Sequence, residues 1–363
     1  MMKLFCLSAV VMVILTTTAK GGQAPEITEA DYAKVNAFLI DGHVVPRYET
    51  LVQVTTEFAA TIQSFCSESD NTQLPTLHDA FQDVMDAWFG IVHIHFGPIE
   101  FLMRQHRFYF WPQARKKIVV AVDSMVNSGN VDDIANSSVA VQGLLAAEVL
   151  LFHERFLGSG EANKPQICIM LSALGQNIKT MAMGTLSEWQ DGEAAYAEFM
   201  KHPHSSNPFY ESHAAVTLNF FQSLYNRLQF VYDINLKPVA GNSIDKASPA
   251  MAESRFSSRS TQNLVITVRA LQELYGTEGN TGLGDLAAIT DIKLHSLMNK
   301  AFSKTLETAE KLDFPIEVAA IDPEKRPQLE QLTKQVQAIK QIIKNRLSRA
   351  LGMTVGFNAL DGD

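Results

Sequence analysis

Between residue 31 and residue 351, outside three breaks, the apolar side chains of this chain recur every three or four positions, and nowhere settle into the two-residue alternation of a strand. No Asn-Gly or Asp-Gly turn joins two runs of β-branched and aromatic residues. The pattern is clearest near the end. Leu329, Leu332, Val336, Ile339, Ile343, Leu347 and Leu351 fall on one stripe, with Asp322 placed as N-cap, Pro323 as first helical residue and Gly352 at the left-handed stop. That predicts one amphipathic helix of about eight turns. Comparable stripes run through 31–66 (bent near Pro46), 76–95, 138–156, 165–200, 208–232, 261–275 and 291–312. The predicted fold is therefore all-α, with two helical-bundle domains of the four-helix type packed side by side. The breaks at 67–74, 158–164 and 235–260 divide it most evenly into an N-terminal bundle, 26–158, and a C-terminal bundle, 159–363.

Residues 4–15 form an apolar run behind Lys3, followed by Thr16, Thr17, Thr18 and Ala19. A short positive start, a twelve-residue apolar core and a small-residue end are the parts of a secretory signal peptide, 1–19. The run is too short to span a bilayer as a helix. Cys6 lies inside it, with the wrong neighbours for a lipid-bearing cysteine, so the expectation is a periplasmic or otherwise secreted protein that is not a lipoprotein and keeps no transmembrane segment. Export makes a disulfide between Cys66 and Cys168 feasible, and two buried thiols are an equal alternative.

Charge narrows the function. Lys and Arg number 30 against 39 Asp and Glu, a net charge of −9. With no long basic run, the chain is unsuited to nucleic acid. The sequence contains no His-Glu-x-x-His, no Gly-x-Ser-x-Gly, no Gly-rich phosphate loop and no Cys-x-x-Cys.

Two places set polar groups inside apolar surroundings. In 138–152, Glu148 is the only charged residue, and apolar residues cover every side of the helix, so its carboxylate needs a cation, a metal or several donors. In 86–107, Asp86, His93 and Glu100 are spaced by sevens and would share a helical face, with Gly97-Pro98 marking a kink. Joined with Glu148, His93 would begin a nitrogen and oxygen ligand set for a transition metal. His95 points elsewhere on a regular helix. His202 and His204 belong to a surface loop, and His78, His106, His153 and His213 have no assignable partner. The aromatic run from Arg107 through Trp111 and Pro112 to Arg115 fits either ligand stacking or core packing beneath a loop.

These residues resemble the imelysin-like family, secreted or periplasmic proteins that are often iron-regulated and carry a peptidase label. Phe96-Gly-Pro-Ile-Glu100-Phe with Arg107-Phe-Tyr-Phe-Trp111-Pro112 looks like the region after the family's second long helix. Gly143-Leu-Leu-Ala-Ala-Glu148 is similar to its Gly-x-His-x-x-Glu signature, and Gly352-Met-Thr-Val-Gly356-Phe357-Asn358-Ala-Leu-Asp361-Gly362-Asp363 to its closing segment. The resemblance implies two all-helical bundles with a site between them, where Glu148, Gly143, Glu100, Arg107 and Trp111 would hold a ligand. It also implies iron or another divalent metal. Here Leu145 stands at the signature histidine, so either another residue such as His93 replaces that ligand, or the site binds without metal, or it has lost its function. The implied role is a non-enzymatic envelope protein serving uptake of iron or another solute, with a small ligand or an envelope protein as partner. A metallopeptidase with a non-standard metal site and an envelope interaction scaffold are the alternatives.

Overall fold

The computed structural model describes residues 25–112, 115–159, 163–192, 194–277 and 280–356. The signal-peptide segment 1–19 with Cys6, and the terminal residues from Phe357 to Asp363, lie outside the described residues. Within them the protein is all-α, and no strand occurs.

Ten helices carry the architecture. They are α1 (Glu29–Leu39), α2 (Val45–Ser67), α3 (Leu74–Ile91), α4 (Arg115–Ser128), α5 (Leu144–Phe152), α6 (Lys164–Gln190), α7 (His213–Phe230), α8 (Ser260–Tyr275), α9 (Ile292–Glu310) and α10 (Arg326–Ile342), with shorter helical turns between them. The bend expected near Pro46 is a π turn, Ile40–Val44, that joins α1 to α2. Proline costs nothing there, because it occupies the first turn of α2.

Helix α2 packs against both α3 and α6; α3 reaches α8, α8 lies on α9, and α9 on α10. Buried apolar residues from Val35 to Met353 form one connected cluster, with Trp88, Trp189, Tyr48 and Tyr275 among its largest enclosed rings. Cys66 at the end of α2 is disulfide-bonded to Cys168 in α6, with Cα atoms 5.6 Å apart. This decides between the two alternatives open for those cysteines. Polar ties cross the core as well. Asn36 of α1 donates to the His213 carbonyl at 2.8 Å and accepts from the Thr217 hydroxyl at 2.7 Å, fastening α1 to α7.

Two helices start later than their periodicity implies. The last begins at Arg326, not Pro323. Asp322 accepts from the amides of Glu324 (2.9 Å) and Lys325 (3.3 Å), making a turn that delays the helix. The same helix passes through a π turn at Ile343–Leu347 and stops at Gly352 with φ +65°. The buried central helix begins at Leu144, not Ser138, for a reason that belongs to the site.

Candidate functional site

Helix α3 ends at Ile91, and the chain turns at once. The Val92 amide closes the helix on the Trp88 carbonyl at 2.8 Å, His93 lies in the turn, and His95 Nδ1 bonds back to the His93 carbonyl at 2.9 Å. Gly97 follows with φ +74°, and a Cβ there would sit 2.7 Å from the Tyr196 ring, so only glycine fits. Two short 3-10 turns and the helical turn Arg104–Phe108 complete the excursion. Arg104 anchors it, donating to the Pro98 carbonyl at 2.9 Å and gripping both carboxylate oxygens of Glu188 in α6 at 2.5 and 2.8 Å. Because α3 stops before His93, the sevenfold spacing of Asp86, His93 and Glu100 does not make one helical face. Asp86 instead pairs with Arg259, His93 is buried, and Glu100 is exposed.

This excursion, the end of α3 and one side of α7 border an open-sided cavity of ≈ 560 Å³. Trp88, Tyr109, Trp111, Phe230 and Val92 give it apolar walls. His93, His95, Asn226, Arg227 and Glu253 place polar groups in it, and the exposed residues Glu100, His106 and Pro112 stand at its rim. Its size and its mixture of aromatic wall and few polar groups suit a small organic ligand.

Charge in the cavity is arranged unusually. The Nε2 atoms of His93 and of His43, in the π turn, are 2.7 Å apart with both rings enclosed. Burial holds both imidazoles well below the ordinary histidine range, and the Arg47 guanidinium pushes in the same direction. Arg47 itself donates to the carbonyls of His43 (2.9 Å) and Gly90 (3.0 Å) and pairs with Glu273. Arg227 is 8% exposed, its guanidinium 4.9 Å from the Phe230 ring centre and 5.8 Å from that of Phe89. Burial lowers its pKa, opposed by the negative charge of Glu253 and by Tyr109. Glu253 accepts from the Asn235 amide, and the Tyr109 hydroxyl bonds to Ser254 at 2.9 Å.

Glu148 occupies a second, smaller space. Every residue of Leu144–Leu151 is buried, as the composition of this helix required. The carboxylate accepts the Ser257 backbone amide at 3.0 Å and the Ser257 hydroxyl at 2.7 Å. It thereby pins a loop in which Ser254 and Ser258 adopt φ of +50° and +55°. Leu145, Glu148, Trp111 and Ser254 line this space, so Trp111 is the wall between it and the cavity. Gly143 explains the late start of α5. It packs directly onto the carbonyl oxygens of Arg107 and Phe108, closer than any side chain permits, and its extended φ of −131° interrupts the helix. Arg107 donates to Gln142 at 2.7 Å, and Asn177 donates to the Gln142 carbonyl at 2.9 Å, fixing the same junction.

Of the residues singled out in the sequence, His93, Glu100 and Trp111 come together around the cavity. Glu148 lies beyond Trp111, and Arg107 and Gly143 form the backbone junction behind it. His95, set aside on helical grounds, lines the cavity because the helix has ended. His202 and His204 are exposed, as read. The sequence reading missed His43, Arg227 and Ser257. Arg227 had a signal: it falls on the apolar stripe of Phe220, Leu224, Leu228 and Val231, where a cation is out of place.

The metal implied by the signature motif does not fit this donor set. Leu145 offers no ligand, His93 gives its Nε2 to His43, and Ser257 holds Oε1 of Glu148, which lies in a separate space beyond Trp111. Among the described residues no three His, Cys, Asp or Glu side chains converge.

Comparison with known proteins agrees with this architecture. An imelysin-like protein from Psychrobacter arcticum 273-4 superposes with a TM-score of 0.75 at 17% identity, over 92% of this chain and 100% of that one. A protein named as an iron-regulated protein A precursor, from Parabacteroides distasonis ATCC 8503, gives 0.73 at 16% identity, over 89% and 96%. Both share the fold. No curated protein sequence matches. The imelysin (peptidase M75) family model matches residues 44–343, and the chain therefore belongs to the imelysin family.

Proposed function

We propose that the protein is a non-enzymatic binding protein of the cell envelope, taking up a small ligand in the cavity bounded by α3, the 95–112 excursion and α7, in the service of iron or other solute uptake. One observation carries this reading: an open-sided pocket of ≈ 560 Å³ with aromatic walls and a buried cation, shaped by a backbone that Arg104, Gly97 and Gly143 fix in place. The iron-regulated name of the Parabacteroides relative supports the uptake context. Export rests on the 1–19 segment. In this reading the chain divides into the bundles 26–158 and 159–363. Helix α6 joins them, since it packs along α2 and carries Cys168, the partner of Cys66.

The test is native mass spectrometry of protein purified from its own envelope, beside Val92→Trp, which sets a bulky ring into the cavity between its aromatic walls. A small-molecule adduct on wild type that Val92→Trp lacks, with expression rising under iron limitation, supports the reading. Cleavage of unstructured polypeptide by the purified protein, abolished by a chelator, would overturn it in favour of the peptidase alternative.

A further inference from the structure

Arg227 is a buried cation with little to neutralise it. Its Nε has no hydrogen-bond partner, and the guanidinium makes no ion pair with any described residue. The nearby opposite charge, Glu253, is held by Asn235. A buried cation left this way is destabilising unless something offsets it. The two rings beside it supply part of that offset.

Arg227 stands between two spaces. On one side is a void of ≈ 10 Å³, shared with Asn235, Asn263 and Thr267, where Asn263 Nδ2 and Thr267 Oγ1 also have no partner. That space matches one water molecule, which satisfies polar atoms but brings no charge. On the other side is the ≈ 560 Å³ cavity, where Arg227 is the only Lys or Arg lining it among the described residues. The neighbouring imidazole of His93 is held neutral, so it does not compete for an anion.

A guanidinium presents paired N–H donors in a plane, which match the two oxygens of a carboxylate. Beside it the walls are flat rings: Trp88, Tyr109, Trp111 and Phe230. Resting on the cavity reading above, we infer that the ligand is an aromatic organic acid, its carboxylate seated on Arg227 and its ring system against Trp111 and Phe230. Glu253 then sets the limit of the anionic pocket, excluding acids that would place a second carboxylate beside it.

Calorimetric titration with benzoate, 1-naphthoate and indole-3-acetate, each beside its neutral carboxamide, tests the inference on wild type, Arg227→Met and Val92→Trp. Wild type is expected to prefer the acids by about tenfold or more, the worth of one charge-assisted contact. Arg227→Met should lose that preference while still unfolding in one cooperative thermal transition. Equal affinity of acids and amides in wild type, with both lost in Val92→Trp, would overturn the acid assignment and leave the cavity reading standing. Binding of neither class would overturn the aromatic-acid assignment, while the cavity reading answers to the adduct measurement above. A strong fall in the Arg227→Met midpoint with acid preference intact would make Arg227 a structural cation.

Discussion

His43 and His93 face each other through their Nε2 atoms at 2.7 Å, one donating and the other accepting, inside a core that gives neither ring room to charge. Both are held below the ordinary value of 6.5, first by burial and then by neighbouring cations. In the unfolded chain each would take a proton near pH 6.5. The stabilisation is therefore complete above that pH, and is lost as pH falls below it toward the lowered folded values, because the unfolded state then binds more protons. Each ring contributes a slope of up to about 1.4 kcal/mol per pH unit in that window. Asp31, Asp70, Asp291 and Asp322 are shifted downward from 3.8, so their contributions fade only at much lower pH. Thermal midpoints measured from about pH 8 to about pH 5 should fall most steeply below pH 6.5 in wild type. The double variant His43→Leu/His93→Leu should flatten that fall; an equally steep curve would place its origin elsewhere.

The Cys66–Cys168 bond closes a loop of 102 residues. By the chain-entropy estimate such a loop is worth about 4–5 kcal/mol, mostly through the unfolded state. Urea unfolding of Cys66→Ser/Cys168→Ser should show a loss of that order, and reductant should lower wild type toward the same midpoint. Indifference of wild type to reductant would show that the bond does not form in the folded protein.

Gly143 has no space for a methyl group against the carbonyls of Arg107 and Phe108. Gly143→Ala must push the junction apart and strain the Arg107–Gln142 and Asn177–Gln142 bonds. We expect a loss of about 3 kcal/mol, the upper range for overpacking. Denaturant unfolding reads this directly, and a change under about 0.5 kcal/mol, ordinary for surface sites, would mean the junction is loose.

Leu145 and Glu148 are three residues apart on α5 and line the same small space. A histidine at 145 would bring an imidazole beside the carboxylate. Zinc titration of four variants should show no tight binding through Glu148 in wild type, measurable affinity in Leu145→His, and its loss in Leu145→His/Glu148→Ala. Tight wild-type binding that vanishes in Glu148→Ala would mean that other ligands have replaced the signature histidine.

How far these features could be read in advance depended on the length scale. Helical identity was legible because the three-to-four period of Leu329 to Leu351 reports which side of a helix is dry, and nothing tertiary overrides it. The burial of Glu148 was legible for the same reason. Helix ends were not. Gly143 and His93 sit where a contact distant in sequence, to Phe108 or to His43, decides the backbone, and periodicity carries no trace of that. The cavity was half legible. Glu100, His93 and Trp111 were drawn from one stretch, whereas Arg227, 116 positions after Trp111, joins them only through the packing of α7.

The three tryptophans offer the most direct test of the cavity as a binding site. Trp88 and Trp111 line it, while Trp189 is enclosed elsewhere among Tyr48, Phe96 and Tyr196. Titration of 15N-indole-labelled protein with 1-naphthoate should move the Trp88 and Trp111 signals, leave Trp189 in place, and have no effect in Val92→Trp beyond its own added signal. Shifts confined to Trp189, or no indole shift at saturating naphthoate, would contradict ligand binding in this cavity.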